Sequence, residues 1–344
     1  MPAPKASTSD VRICELSPRY GLQFLGHLES GSCNRIPLDK KLRLVRILQD
    51  SNVSYIETGS FVSDSIPQMS DTDALARNLK RHGGQQLGAL VANRKKFLSS
   101  FPTDNLDTLA VFVSASEPHS VRNVGVGINA AVAMAEEVAN EARSAELRLR
   151  GYISCAFQDF IEDHEQPSDL NRVKALVAAL LSWGCESVSL SDTGGMTNPY
   201  RVAEVLDSIA KVQGVRLDDN ISVHFHDGAG FALANAYQAY VSGARSFDAS
   251  LGGLGGNPKA WNHTGFTGSV ATEQLVSMFK RMGIRTGVSL SHLRQAGAVI
   301  YEITKELGEY QPPSPLLRQW MGCGERWEPI SDYPARANLA PNDS

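Results

Sequence analysis

The chain is short of several things, and each shortage removes a class of protein. Only five cysteines occur in 344 residues. Cys14, Cys33, Cys155, Cys185 and Cys323 are odd in number, scattered and without a CxxC pair. That usage fits a reducing compartment and argues against a disulfide frame or a structural zinc module. Charge of one sign is also scarce, with a formal net charge of -4. No basic block or stripe stands out, so neither nucleic acid nor a membrane surface is an expected partner. The small positive cluster "NRKKF" (93–97) reads as a solvated helix start. Long apolar runs and a signal-peptide h-region are missing, and the first strand begins near Val11. The expectation is a soluble, cytoplasmic protein. No GxGxxG follows the first strand, which deprives a doubly wound dinucleotide fold of its usual signal.

What is present is a regular rhythm. Hydrophobic residues make up 42% of the chain, enough for a substantial core. Short β-rich runs fall at 11–16, 54–58, 86–91, 108–113, 149–155, 187–191, 221–225 and 246–250. Helical-period runs follow them at 38–50, 72–82, 94–101, 126–147, 168–183, 199–211, 230–242 and 269–282. Alternating strands and helices imply parallel pairing through right-handed crossovers. Eight such units predict an α/β fold, a closed (β/α)8 TIM barrel. A further helix is expected at 289–307, followed by a Pro-rich irregular tail in which Trp320, Trp327 and Tyr333 suggest packing. The organisation is therefore an N-terminal extension (1–10), the barrel (11–288), and a C-terminal helix and tail (289–344).

Barrel chemistry sits at the carboxyl ends of the strands. There the sequence places Glu15 and Arg19, then Glu57, Asn93, Ser114, Ser116 and Glu117. Ser154, Cys155, Asp192, Thr193, His224, His226 and Asn257 complete the circuit. "VHFHD" (223–227) is the sharpest element, because residues two apart on a strand point the same way. His224 and His226 can present two imidazoles to one divalent ion, or simply hydrogen-bond each other. Arg19 is a permanent cation able to hold a carboxylate or a developing enolate, and it can equally pair with Glu15 or Glu57. Glu57 and Asp192 are candidates to orient Arg19 or the histidines. "GGLGGNP" (252–258) implies tight turns and a flap over the site, with no Lys-Ser/Thr pair to make it a phosphate cradle.

Seven stretches together resemble the 3-hydroxy-3-methylglutaryl-CoA lyase family of metal-dependent aldolase-like barrels. They are "SPRYGLQ", "IETGSFVSDSIPQM", "RGYISC", "SLSDTGG", "VHFHDGAGFALAN", "GGLGGNP" and "GSVATEQLV". The resemblance implies retro-aldol cleavage of a 3-hydroxy acid or its CoA thioester, with Mg²⁺ or Mn²⁺ on the substrate oxygens. It assigns catalysis to Arg19, Glu57, Asp192 and the flap residue Asn257, and metal binding to His224 and His226. Substrate contacts are expected from Gln23, Asn93, Ser116, Ser154 and Thr193, and a homodimer is a family-level expectation.

Three positions depart from the family pattern. Tyr20 stands where the family has a metal-binding aspartate. Ser269 replaces a metal-binding asparagine, and Asn257 replaces a catalytic cysteine. The loop between Asn257 and Ser269 is also longer than in typical members, and contains Asn262 and His263. Losing a carboxylate and an amide weakens a hard-cation site. Three outcomes stay open: His263 or Asn262 restores a ligand, Zn²⁺ replaces the hard ion, or metal is lost. Tyr20 can then act as an acid in a condensing enzyme or isomerase on the same barrel. A non-catalytic metabolite-binding relative is the third reading.

Overall fold

The computed structural model describes residues 10–23, 25–26, 33–62, 66–82, 84–100, 105–161, 164–255, 268–307 and 314–322. In chain order the strands are β1 (Arg12–Glu15), β2 (Tyr55–Phe61), β3 (Gln86–Val91), β4 (Thr108–Ser114) and β5 (Arg148–Ser154). They continue as β6 (Gln158–Ile161), β7 (His164–Pro167), β8 (Cys185–Asp192), β9 (Ile221–Phe225) and β10 (Ser246–Ala249). Eight of these close a barrel in the order β1-β10-β9-β8-β5-β4-β3-β2, and β6 and β7 pair as a separate hairpin. Every barrel pairing is parallel.

The helices are α1 (Leu38–Asp50), α2 (Thr72–Asn78), α3 (Arg94–Ser100), α4 (Glu117–Val124), α5 (Ile128–Ser144) and α6 (Leu170–Ser182). After them come α7 (Pro199–Ile209), α8 (Ala232–Val241), α9 (Thr272–Arg281), α10 (Leu290–Leu307) and α11 (Pro315–Trp320). Their apolar faces explain their position. In α6, Val173, Leu176, Val177 and Leu180 are buried at helical spacing. The side chain of Asp169 caps its first turn by accepting from the N–H groups of Asn171 and Arg172. The strands turn alternate residues outward to meet these helices. Ile13, Ile56, Ile153, Val188, Leu190, Val223, Phe225 and Phe247 all join the helix–sheet core. Each such buried side chain contributes about 1.5–3 kcal/mol.

Three features differ from the sequence expectation. The helix expected at 126–147 is preceded by a separate α4, which ends at Gly125 (φ 80). Pro118 is tolerated because the first turn needs no N–H there. The β6–β7 hairpin lies in a polar stretch that lacks the alternation by which strands are read. The tail, expected to be irregular, contains α11, whose Leu317 is fully buried and packs closely on Gly297. Trp320 also packs against the core, whereas Trp327 and Tyr333 lie outside the described residues.

Glu273, on α9, ties this end together. It is fully buried; its Oε2 accepts from the Gly252 N–H at 3.1 Å, and the Ser314 hydroxyl bonds its Oε1. Ser314 N–H in turn donates to the Gly252 carbonyl at 2.9 Å. Burial pushes the Glu273 carboxyl up from 4.5 to about 7. The folded chain thus keeps a proton that the unfolded chain releases, so stability falls as pH rises through this interval. Unfolding free energy from urea titration should drop by about 2–3 kcal/mol between pH 4.5 and pH 8 on this account. Glu15 shifts in the same sense, so Glu273→Gln isolates the contribution. A variant that keeps the full slope would refute the assignment.

Candidate active site

The site begins with the turn that leaves β1. Ser17–Gly21 forms a π-helical turn, in which Gly21 N–H and Leu22 N–H reach back to the carbonyls of Leu16 and Ser17 at 3.4 and 3.0 Å. Such turns are rare and concentrate at functional sites. Glu15 holds this one in place. Its Oε1 accepts from the N–H groups of Ser17 (2.8 Å) and Leu251 (3.1 Å), and its Oε2 from the Thr272 hydroxyl (2.5 Å). The role of Glu15 here is tethering β1, the glycine loop and α9.

The turn delivers Arg19 and Tyr20 into the barrel mouth. Arg19 Nε donates to Glu57 Oε2, and Nη2 pairs with the same oxygen. The other oxygen of Glu57 accepts from the hydroxyls of Tyr55 and Tyr152, each at 3.1 Å. Burial, the largest single influence, works against the guanidinium charge, but Glu57 together with Tyr152 and Tyr20 outweighs it and raises the Arg19 pKa. Arg19 also lies over the rings of Tyr20 and Tyr152, at 5.2 and 5.9 Å from their centroids. The cation is therefore held in one orientation before any ligand arrives.

Beneath this pair the barrel interior is polar. Alternation turns Arg150 and Tyr152 of β5 inward, with Ser187 and Ser189 of β8, Ser222 and His224 of β9, and Asp248 of β10. Arg150 pairs with Asp248 and donates to Tyr152 Oη (3.2 Å) and Ser187 Oγ (3.2 Å). Asp248 also accepts from Ser189 (2.7 Å) and Ser222 (2.8 Å). Burial, the largest single influence, pushes the Asp248 carboxyl up, but Arg150, His224 and Ser189 together outweigh it and hold the pKa well below the usual range. Gly88 belongs to the same arrangement, since a Cβ there would come within 2.4 Å of Tyr55 Oη.

The histidines stand on this floor. His224 is the register partner of Asp248 on the neighbouring strand, with Nδ1 3.7 Å from Asp248 Oδ2. That is an ion-pair distance, longer than a hydrogen bond. His224 Nε2 lies 3.0 Å from His226 Nε2. His226 Nδ1–H donates to the Thr193 carbonyl at 2.7 Å. Burial first, then the neighbouring imidazole of His224, lowers the His226 pKa to about 3. The ring is neutral at pH 7, and the Thr193 bond makes Nε2 the nitrogen with the lone pair. The Tyr20 hydroxyl bonds that nitrogen. Tyr20 stacks on the His226 ring (centroids 5.5 Å, planes 5° apart) and meets His224 edge-on at 5.0 Å. Gly255, with φ 134, lies so close that a Cβ would fall 2.1 Å from Tyr20 Cε1.

The remaining expected residues separate into four groups. Asp192 is buried and accepts from Thr197 N–H at 3.2 Å, while Thr193 Oγ1 accepts from Cys155 N–H at 2.8 Å. Asn93 and Ser116 act as helix caps, accepting from the N–H groups of Lys96 (3.0 Å) and His119 (3.2 Å). Gln23 is buried beyond the π-turn, and the carbonyl of Ser154 accepts from Ala115 N–H at 2.9 Å. Asn257, Asn262 and His263 lie outside the described residues. Sequence reasoning missed Asp248, Arg150, Tyr55 and Tyr152. It looked to Asp192 or Glu57 for a carboxylate beside the histidines, and Asp248 occupies that position. The signal was the period of two that puts "R-Y-S" of β5 and "S-H" of β9 on one side.

Whether these residues suit a divalent ion is a question of donor chemistry. Mg²⁺ and Mn²⁺ require oxygen ligands, carboxylates above all. On the Nε2 side of the imidazole pair the described oxygen groups are the Tyr20 phenol and, at 3% exposure, Ser269, whose hydroxyl donates to the Phe225 carbonyl (3.4 Å); the carboxylate of Asp248 lies at His224 Nδ1 and is taken up by Arg150, Ser189 and Ser222. Among the described residues no group of three or more His, Cys, Asp and Glu is placed to hold a metal. The described residues of the site do not fit a hard divalent ion.

A cation fixed at the mouth of a (β/α)8 barrel beside two imidazoles can hold a developing enolate, the demand of carbon–carbon lyase chemistry. The chain belongs to the HMGL-like family, whose model matches residues 10–300. It is 35% identical to the hydroxymethylglutaryl-CoA lyase of Bacillus subtilis over 304 residues, covering 88% of this chain and 94% of the relative. The crystal structure of hydroxymethylglutaryl-CoA lyase from Pseudomonas aeruginosa superposes with a TM-score of 0.80 at 32% identity, covering 92% of this chain and 99% of that one. A lyase of that name from Acinetobacter baumannii, solved with coenzyme A and 3-methylmalate, gives 0.80 at 29% identity, covering 96% and 100%.

Glu57→Ala leaves the Arg19 charge buried without its partner. A loss of about 3–5 kcal/mol in unfolding free energy is expected by urea titration. A loss below about 1 kcal/mol would mean that water reaches the pair and screens it.

Proposed function

We propose that this protein cleaves the carbon–carbon bond of a 3-hydroxy acid or of its CoA thioester by a retro-aldol route. The observation that carries the reading is the Arg19–Glu57 pair, a preorganised cation at the same mouth as His224 and His226. A base at the mouth takes the proton of the 3-hydroxyl. The C2–C3 bond then breaks, C3 becomes a carbonyl, and the electron pair passes through C2 to the oxygen of an enolate. A proton added at C2 completes the balance. Arg19 stabilises the oxygen where negative charge develops, and because Glu57 already fixes its position no reorganisation is required. Glu57 keeps the guanidinium charged and aligned, aided by Tyr55 and Tyr152. The relatives' names, and the coenzyme A bound to one of them, support an acyl-CoA as the substrate class. A cytoplasmic location and a homodimer belong to the same reading. No helix among the described residues is long and apolar enough to cross a membrane.

The test is a panel of 3-hydroxyacyl-CoA thioesters and free 3-hydroxy acids, assayed for release of a carbonyl product. Turnover is expected on at least one member. Arg19→Lys should lower kcat by about a hundredfold to a thousandfold, because an ammonium lacks the fork that Glu57 holds. Ligand-induced thermal stabilisation with no carbonyl product from any member would overturn the lyase reading.

A further inference from the structure

We infer that Tyr20 takes the place of the divalent ion, closing the coordination position on His226 with its own hydroxyl. An imidazole nitrogen has a single lone pair, directed in the ring plane. On His226 the Nδ1–H is committed to the Thr193 carbonyl at 2.7 Å, so Nε2 is the nitrogen a metal would need. The Tyr20 hydroxyl, an O–H donor, already bonds that nitrogen.

The arrangement is built rather than incidental. The π-turn fixes the Tyr20 backbone, and Glu15 fixes the turn. The phenol ring lies parallel to the His226 ring, and Arg19 covers it at 5.2 Å. Gly255 approaches the ring so closely that any side chain there would displace it. Tyr20 is 7% exposed, so the hydroxyl is shielded from competition with water. For an ion to bind His226 Nε2, this ring would have to leave a packed position, and the described carboxylate beside the pair, Asp248, stands at the opposite nitrogen of His224 and is already held by Arg150, Ser189 and Ser222.

The consequence for turnover rests on the lyase reading above; the consequence for metal binding does not. Where a Lewis acid would polarise the substrate, the cationic group at the mouth among the described residues is the Arg19 guanidinium, since the Tyr20 O–H is spent on His226. A lyase built in this way works without an added divalent ion.

The experiment uses the full-length protein. Wild type, Tyr20→Phe and Tyr20→Asp are dialysed against Mn²⁺ or Zn²⁺, desalted and assayed for metal content. Mn²⁺ broadening of the His224 and His226 imidazole resonances reports where the ion sits. Wild type is expected to retain neither ion and to show no broadening. Tyr20→Phe keeps the ring but frees the lone pair, and should bind Zn²⁺ at least about tenfold more tightly than wild type. Tyr20→Asp adds a carboxylate and should gain Mn²⁺ with broadening at both histidines. Circular dichroism confirms that the variants are folded, and Tyr20→Phe carries the test if the aspartate variant is not. One ion per wild-type chain with broadening at the histidines would overturn the inference. So would equal Zn²⁺ affinity in wild type and Tyr20→Phe. Chelator-resistant turnover supports it, and failure of turnover with no metal bound counts against the lyase reading alone.

Discussion

The ion pair between Arg150 and Asp248 lies in the closed interior of the barrel, where neither group reaches water. An isolated charge there would cost several kcal/mol, so each group makes the other tolerable. Everything at the mouth rests on this pair. Tyr152 bonds Arg150 on one side and Glu57 on the other, and Glu57 holds Arg19. In the other direction Asp248 faces His224, which meets His226, which is bonded by Tyr20. Tyr20 lies under the Arg19 guanidinium and closes the circuit. Disturbing one member therefore changes the electrostatics of all of them.

This circuit accounts for a barrel interior filled with polar groups. Most barrels of this kind fill the interior with branched aliphatic side chains. Here the inward positions of β5, β8, β9 and β10 carry Arg150, Ser187, Ser189, Ser222, His224 and Asp248, and the apolar interior cluster is small. The main apolar core lies outside the barrel, between strands and helices. Stability and chemistry are thus separated by the pleat. Outward residues bury area, and inward residues place charge.

The glycine loop and the C-terminal helix connect the two. Gly252 is bonded by Glu273 and by Ser314, and Leu317 of α11 packs against it. Gly255, three residues on, lies against Tyr20. The far end of the chain thereby supports the segment that seats the tyrosine.

Much of this was legible in the residues. Alternation of β-rich and helical runs specified eight parallel units, because period and crossover length leave few other folds. The strand ends marked Arg19, Glu57 and the His224–His226 pair, because side chains two apart share a face. Tyr20 was visible as an anomaly. Three things needed the tertiary structure. Asp248, rather than Asp192, stands beside His224, because register between separate strands decides neighbours. Asn93 and Ser116 cap helices, because a polar side chain at a strand end serves whichever N–H comes within reach. The Tyr20–His226 bond depends on a π-turn and a close glycine, local geometry that no periodicity encodes. The sequence by itself determined which chemical groups reach the barrel mouth. Only the packed structure decided which of them meet, since hydrogen bonds and ion pairs act over a few ångströms and follow the register of the sheet.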